Sequence, residues 1–385
     1  PLPGVNQFGE IFTDLKDVPP KANKDLYSPD LINIINQMIE KDQNKRPKSE
    51  KIFEQIKMKY NSFQIQSSSI FCVYRCLLSY NNLSNKLQKH TQVNLPIDQI
   101  PITFTFNLAL NNLYIPDKQS YPIINKIRDV LTFYNSTFID PGEIECNELV
   151  KYIIGKFSLE TNHNRTCDSP YLFTQENDTD SFNRDTIMKK FLLNWQNYFK
   201  SFISNYFFGT LETMRTCCQC NQIRTFFENF FYLTININLA LKSGIITNNA
   251  NFIPSCLQNF FKIRVNKYCP KCNNFTIQEE KEQIFSYPIN LILYIKNDDE
   301  NNLINLNYPL TLNLQSASNP MAMTSYNLKA VIQKCVQNGQ KTYGCCFNYN
   351  QNWCVGNGYN TMNMVDSPYK LNLGNVVMLF YSSQN

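Results

Sequence analysis

Apolar residues return every three or four positions in two early segments: Leu31, Ile34, Ile35, Met38 and Ile39 after Ser28-Pro29, then Ile52, Phe53 and Ile56 after Ser49. That spacing predicts two amphipathic helices. Ser28 and Pro29 serve the first as N-cap and first helical residue, Ser49 caps the second, and Asp42 to Pro47 forms the turn between them. A denser block, Ser68-Ser69-Ile70-Phe71-Cys72-Val73-Tyr74-Arg75-Cys76-Leu77-Leu78, predicts a helix with its small polar residues at the start. Pro141-Gly142 predicts the start of another, with Glu143, Glu145 and Glu148 in its early turns, where acids complement the helix dipole, and Leu149, Tyr152 and Ile153 following. A further helical stretch is expected near 187–205, carrying Phe191, Leu192, Trp195 and Phe199. Residues 60–130 otherwise show no clear period, and 160–185 are polar and loop-like.

The period then changes. Phe230-Tyr232-Thr234-Ile235-Ile237 and Phe261-Ile263-Val265 alternate as strands do, and Pro288 to Ile295 is a short, nearly continuous apolar run of core-strand type. Strands are expected again over Tyr326–Ile332, Tyr343–Tyr349 and Val376–Tyr381, with a turn at Trp353. Helices gathered before strands give α+β order and not βαβ repetition.

Composition narrows the class. With 385 residues, 43% hydrophobic and 14% aromatic, the chain can bury a large core. Asn is abundant, as at Asn248-Asn249 and Asn301-Asn302, but interleaved with strand-forming residues. The net charge of +5 is scattered, with no basic stripe of the kind that binds nucleic acid. No apolar run reaches the roughly 18 residues of a membrane span, and Pro1-Leu2-Pro3-Gly4 is not a signal peptide, so a cytoplasmic or nuclear setting is expected. The missing initiator Met suggests a fragment or a processed chain.

Two cysteine knuckles carry the clearest chemistry: Cys217-Cys218-Gln219-Cys220 and Cys269-Pro270-Lys271-Cys272. Two C-x-x-C turns can close a tetrahedral four-thiolate Zn²⁺ site of the zinc-ribbon kind. A redox pair needs only one knuckle, and a secreted disulfide framework belongs to shorter chains. Cys217, Cys220, Cys269 and Cys272 are therefore the expected ligands of a structural zinc, with Cys218 a bystander.

Two resemblances follow. The string Tyr-Ser-Pro-Asp-Leu-x₇-Ile-x-x-Asp-x-x-x-Arg-Pro, met from Tyr27 to Pro47, resembles the last helices of a protein-kinase catalytic domain and covers about residues 1–58. The Gly-rich loop, H-R-D and D-F-G that phosphoryl transfer needs are absent, so this chain is not by itself a kinase, and a kinase domain upstream in the same polypeptide is implied.

Residues 64–385 resemble the ubiquitin-specific protease domain. Glu143-Ile144-Glu145-Cys146-Asn147-Glu148-Leu149 sits where that family has Gln-Gln-Asp-Ala-x-Glu-Phe, and Phe208-Gly209-x-Leu leads into the first knuckle. Pro288-x-x-Leu291-x-Leu293-x-x-Lys296 matches the strand after the fingers, Tyr326-x-Leu328-x-Ala330-Val331-Ile332 the strand before the histidine box, and Met378-Leu379-Phe380-Tyr381 the closing strand. The resemblance implies a papain-like palm and thumb with zinc-ribbon fingers at about 209–290, and ubiquitin or a ubiquitin-like protein as partner.

The family's chemistry is not matched. Aligning Arg75-Cys76-Leu77 with the end of the cysteine box places Ser68 at the nucleophile and Gln66 at the oxyanion-holding position. Thr342, in Lys341-Thr342-Tyr343, replaces the His of Gly-His-Tyr, and Asn357 takes the orienting position. The two histidines, His90 and His163, lie outside every matching block. A hydroxyl is a far weaker acid than a thiol, and threonine is no general base near neutral pH. The expectation is a ubiquitin-specific-protease-like domain that binds ubiquitin or scaffolds without cleaving. The alternatives are an active cysteine-type deubiquitinase and a zinc-stabilised interaction domain for another protein.

Overall fold

The computed structural model describes residues 68–91, 100–113, 121–139, 143–163, 174–175, 184–242, 252–258, 262–297, 306–316, 319–337, 340–357, 362–371 and 374–383. The chain divides into two units, Pro1–Ile65 and Gln66–Asn385. The kinase-like segment 1–58 and Gln66 lie outside the described residues.

Among the described residues five helices come first: α1 (Ser68–Leu78), α2 (Asn81–Thr91), α3 (Pro101–Asn112), α4 (Tyr121–Tyr134) and α5 (Cys146–Glu160). Every residue of α1 is buried, as expected of a helix that is apolar on all sides. Its single charge, Arg75, stacks its guanidinium 4.0 Å from the Phe71 ring centroid and 5.5 Å from that of Phe347. The short strand β1 (Thr174–Gln175), α6 (Arg184–Tyr198) and α7 (Phe202–Phe207) follow. The single helix expected near 187–205 is thus two, broken where the Ser201 hydroxyl accepts from the Ile203 N–H and starts a new cap.

The fingers are a five-stranded sheet, ordered β1-β3-β2-β6-β5, built from β2 (Gly209–Cys217), β3 (Ile223–Phe230), β5 (Lys262–Cys269) and β6 (Asn274–Ser286). Strand β4 (Leu233–Asn236) leaves that sheet and pairs parallel with β7 (Asn290–Lys296). The strand expected across Phe230–Ile237 is therefore split at Phe231-Tyr232, because β2 begins at Gly209 opposite Phe230 and offers no partner beyond it. The packing there is close: a Cβ on Gly209 would sit 2.4 Å from the Phe230 ring.

The palm sheet joins β4 and β7 with β8 (Thr311–Ser316), β9 (Asn319–Gln337), β10 (Gln340–Tyr349), β11 (Asn352–Asn357), β12 (Met362–Val365) and β13 (Asn375–Ser383), in the order β12-β11-β10-β9-β13-β7-β4 with β8 on β9. Both faces are buried. Ile292, Ala330, Ile332, Tyr343, Cys345 and Phe380 pack against the helices with α1. Leu291, Leu293, Val331, Leu379 and Tyr381 pack into a second core with α8 (Ile237–Lys242) and α9 (Phe252–Gln258). A sheet buried on two faces needs apolar residues at successive positions, which explains the unbroken run Leu291-Ile292-Leu293.

Two further expectations are corrected. Helix α5 begins at Cys146, so Glu143 and Glu145 precede it and bond elsewhere. Trp353 stands on β11 opposite Asn348, and the reversal is made by Asn350 and Gln351, whose φ values of 49° and 70° form the tight turn. Among the described residues, no helix is long and apolar enough to cross a membrane.

Candidate functional site

The two knuckles meet at the tip of the fingers. Antiparallel pairing of β2 and β5 with β6 brings Cys217 and Cys269 to the same end of the sheet. The Sγ atoms of Cys217 and Cys272 are 3.8 Å apart, those of Cys220 and Cys269 3.6 Å, and all four sulfurs lie within 4.8 Å of one another. Zn–S bonds of about 2.3 Å in a tetrahedron put sulfurs about 3.8 Å apart, whereas a disulfide needs about 2.05 Å. The donor set therefore fits a tetrahedral metal and is not oxidised.

Its protonation points the same way. The Cys217 thiol is pulled down to about 6, first by the Thr276 hydroxyl and then by the Cys220 backbone, while Cys272 is pushed up to about 12 by its contact with Cys220 and by burial. One thiolate forms readily and the next is opposed, a conflict that a bound dication removes. Each knuckle is closed by an asparagine at positive φ, Asn221 at 56° and Asn273 at 50°. The repeated C-x-x-C-Asn was a readable signal of this shared turn, since Asn tolerates the left-handed region. Cys218 is exposed.

The second constellation lies where α1 meets β10. Ser68 is 1% exposed, and its Oγ accepts from the Tyr343 N–H at 2.9 Å. Asn357 stands on β11 opposite Gly344, and a Cβ on the neighbouring Gly356 would come within 2.8 Å of the Phe71 ring. The α1 start, the Thr342-Tyr343 step of β10 and the end of β11 thus share one corner. Thr342 is exposed, on the opposite side of the strand from Lys341 and Tyr343.

Sequence reasoning missed what fills this corner. The Glu143 carboxylate accepts from the Ser68 N–H (2.8 Å) and hydroxyl (2.5 Å) through Oε1, and from the Ser69 N–H (3.0 Å) and hydroxyl (2.8 Å) through Oε2. Beside it, Glu145 accepts from Lys341 Nζ (2.5 Å), Lys334 Nζ (3.2 Å) and the Tyr343 hydroxyl (2.7 Å). Burial works to raise the Glu145 carboxyl, but the bonds from Lys341 and Tyr343 and the charge of Lys334 outweigh it and hold the group below its ordinary value. Glu145, Lys334 and Tyr343 also line a pocket reaching Tyr294, Asn297 and Asn375.

Two thiols border the corner: Cys335, half-buried on β9 opposite Thr342, and Cys146, buried at the start of α5. Cys72 is fully buried one turn along α1, and burial with the nearby Cys345 pushes its thiol well up. His163 is exposed just past the C-terminus of α5, about 22 Å of helix from the corner at its start. His90 lies on α2.

No protein-family model and no curated protein sequence matches the chain. Solved structures do. The chain is similar to one in the SAGA DUB module of Ubp8, Sgf11, Sus1 and Sgf73 bound to monoubiquitin, with a TM-score of 0.55 and 14% identity over 88% of this chain and 77% of that one. The same module bound to ubiquitin aldehyde gives 0.53 at 13% identity, and a form carrying a Ubp8 variant gives 0.58 at 14%, each over the same shares. At this identity the likeness establishes the fold, which is ubiquitin-specific-protease-like.

Proposed function

We propose that residues 64–385 form a ubiquitin-binding or scaffolding domain of ubiquitin-specific-protease type that has lost isopeptide hydrolysis and is held at its fingertip by a structural zinc. The observation that carries this is the corner between α1 and β10, where a buried serine, Ser68, and an exposed threonine, Thr342, hold the two positions that need a thiol and an imidazole. Acyl transfer by this fold needs a nucleophile with a low proton affinity and a base to receive the proton. Ser68 and Thr342 supply neither, and Asn357 then has no imidazole to orient.

For an active cysteine peptidase, one candidate nucleophile is Cys72. Its burial and raised thiol argue against that role, since the thiolate is the reactive form. Cys217, Cys220, Cys269 and Cys272 would hold the zinc, whose contribution is to fix the tip of the fingers. The partner is ubiquitin or a ubiquitin-like protein, the setting cytoplasmic or nuclear, and the segment 1–58 the end of a kinase-like domain.

Titration of the full chain with ubiquitin tests the reading. Saturable binding without labelling by a ubiquitin vinyl-sulfone probe is expected. Labelling would favour the active enzyme, and no binding at any accessible concentration would favour an interaction domain for another protein.

A further inference from the structure

The proposed loss of chemistry leaves a cleft whose donors are already taken. The first N–H groups of a helix have no partner within it, carry the positive end of its dipole and bind anions. In an acyl-transfer site built at such a helix start, the backbone N–H groups beside the nucleophile are the donors that stabilise the oxyanion. Here those of Ser68 and Ser69 each donate to one oxygen of Glu143, and each serine hydroxyl donates to the same oxygen as its own N–H. Four bonds on one carboxylate leave no donor of Ser68 or Ser69 for a carbonyl.

The serine is committed as well. Its hydroxyl proton is held by Glu143 and one of its two lone pairs by the Tyr343 N–H, and Ser68 and Ser69 are 1% and 0% exposed. A Ser68–Glu143 pair is not a substitute catalyst, because the carboxylate that would take the proton also fills the oxyanion donors. Glu143 reaches this position because it precedes α5 and is not part of it.

We propose that Glu143 is an internal occupant of the vacated catalytic corner, standing where a scissile carbonyl or a terminal carboxylate would have to bind, so that the domain reads the folded body of ubiquitin and not its C-terminal glycine. This rests on the ubiquitin-binding reading, and it names which part of the partner is recognised.

The test uses the full chain and its Glu143→Ala and Glu143→Gln variants. In thermal melts, Glu143→Ala should melt several degrees lower, and acetate at tens of millimolar should recover at least half of that loss where equal chloride recovers none. The unmodified chain should ignore acetate. No acetate-specific recovery in a folded variant would overturn the occupancy. If Glu143→Ala does not fold, Glu143→Gln, which keeps one acceptor oxygen, is melted against acetate in its place, with the same two outcomes.

The second arm compares full-length ubiquitin with ubiquitin lacking its last two glycines. The unmodified chain should bind both within twofold, and Glu143→Gln should gain at least threefold for the full-length form alone. A loss above tenfold on truncation with the unmodified chain would overturn the proposal. Failure to bind either form would instead count against ubiquitin recognition, leaving the acetate arm to decide the role of Glu143.

Discussion

The fingertip and the α1–β10 corner are both places where residues distant in sequence converge, and they differ in the side chains they bring together. At the tip, four sulfurs sit at tetrahedral spacing, and each knuckle closes on an asparagine in the left-handed region. At the corner, a helix start and paired strands converge, and the side chains there are a buried serine, an exposed threonine and a capping glutamate. A metal site contributes to folding free energy directly, so losing a ligand unfolds part of the domain. A catalytic side chain contributes little to folding, so the frame persists when the chemistry goes. The fold can therefore be held at the tip while the corner changes.

Breaking the tip should have the largest effect. Four-thiolate sites contribute on the order of 10 kcal/mol, so Cys269→Ser should leave β2, β5 and β6 exchanging amide hydrogens orders of magnitude faster while β7, β9 and β13 stay protected. Uniform loss of protection would show the two regions to be one cooperative unit. The frame of the corner can be broken separately: Gly356→Val forces a side chain against Phe71 and should cost about 1–3 kcal/mol in denaturant melts without changing zinc content.

Smaller changes sharpen the comparison. Asn221→Ala and Asn273→Ala should each cost about 1 kcal/mol, because alanine pays for the left-handed conformation, while the glycine variants stay within a few tenths; zinc retention under chelator reads this most sensitively. The smallest effect is electrostatic. The Glu145 carboxyl is held low in the folded state, so its contribution is fully present above its unfolded value of about 4.3 and is lost as pH falls through the lower folded value. Glu145→Gln should lower stability by about 0.5 kcal/mol near neutrality, given the partial exposure of the pair, and the difference from the unmodified chain should vanish as pH falls below about 4.

Legibility in the sequence follows how local each interaction is. The knuckles could be read because metal geometry fixes cysteine spacing along the chain, and α1 because a helix buried on all sides must be apolar throughout. Helix α3 was not legible: Ile102, Phe106 and Ala109 are buried while Phe104, Leu108 and Leu110 are half-buried, so apolar residues ring it and no single stripe stands out. Glu143 was assigned to its own helix by a sound local rule, acids at an N-terminus, and the structure gives it to the N-terminus of a different helix 75 residues earlier. Ser68, Thr342 and Asn357 were placed only by resemblance, since no local pattern in the sequence marks these positions.

The claim that the frame is kept and the chemistry lost is tested most directly by incubating the unmodified full chain with a ubiquitin–fluorophore conjugate and following fluorophore release. The account predicts release no faster than in buffer, with or without added zinc. Robust turnover abolished by Cys72→Ser, or by Ser68→Ala, would contradict it and make the chain an active ubiquitin hydrolase.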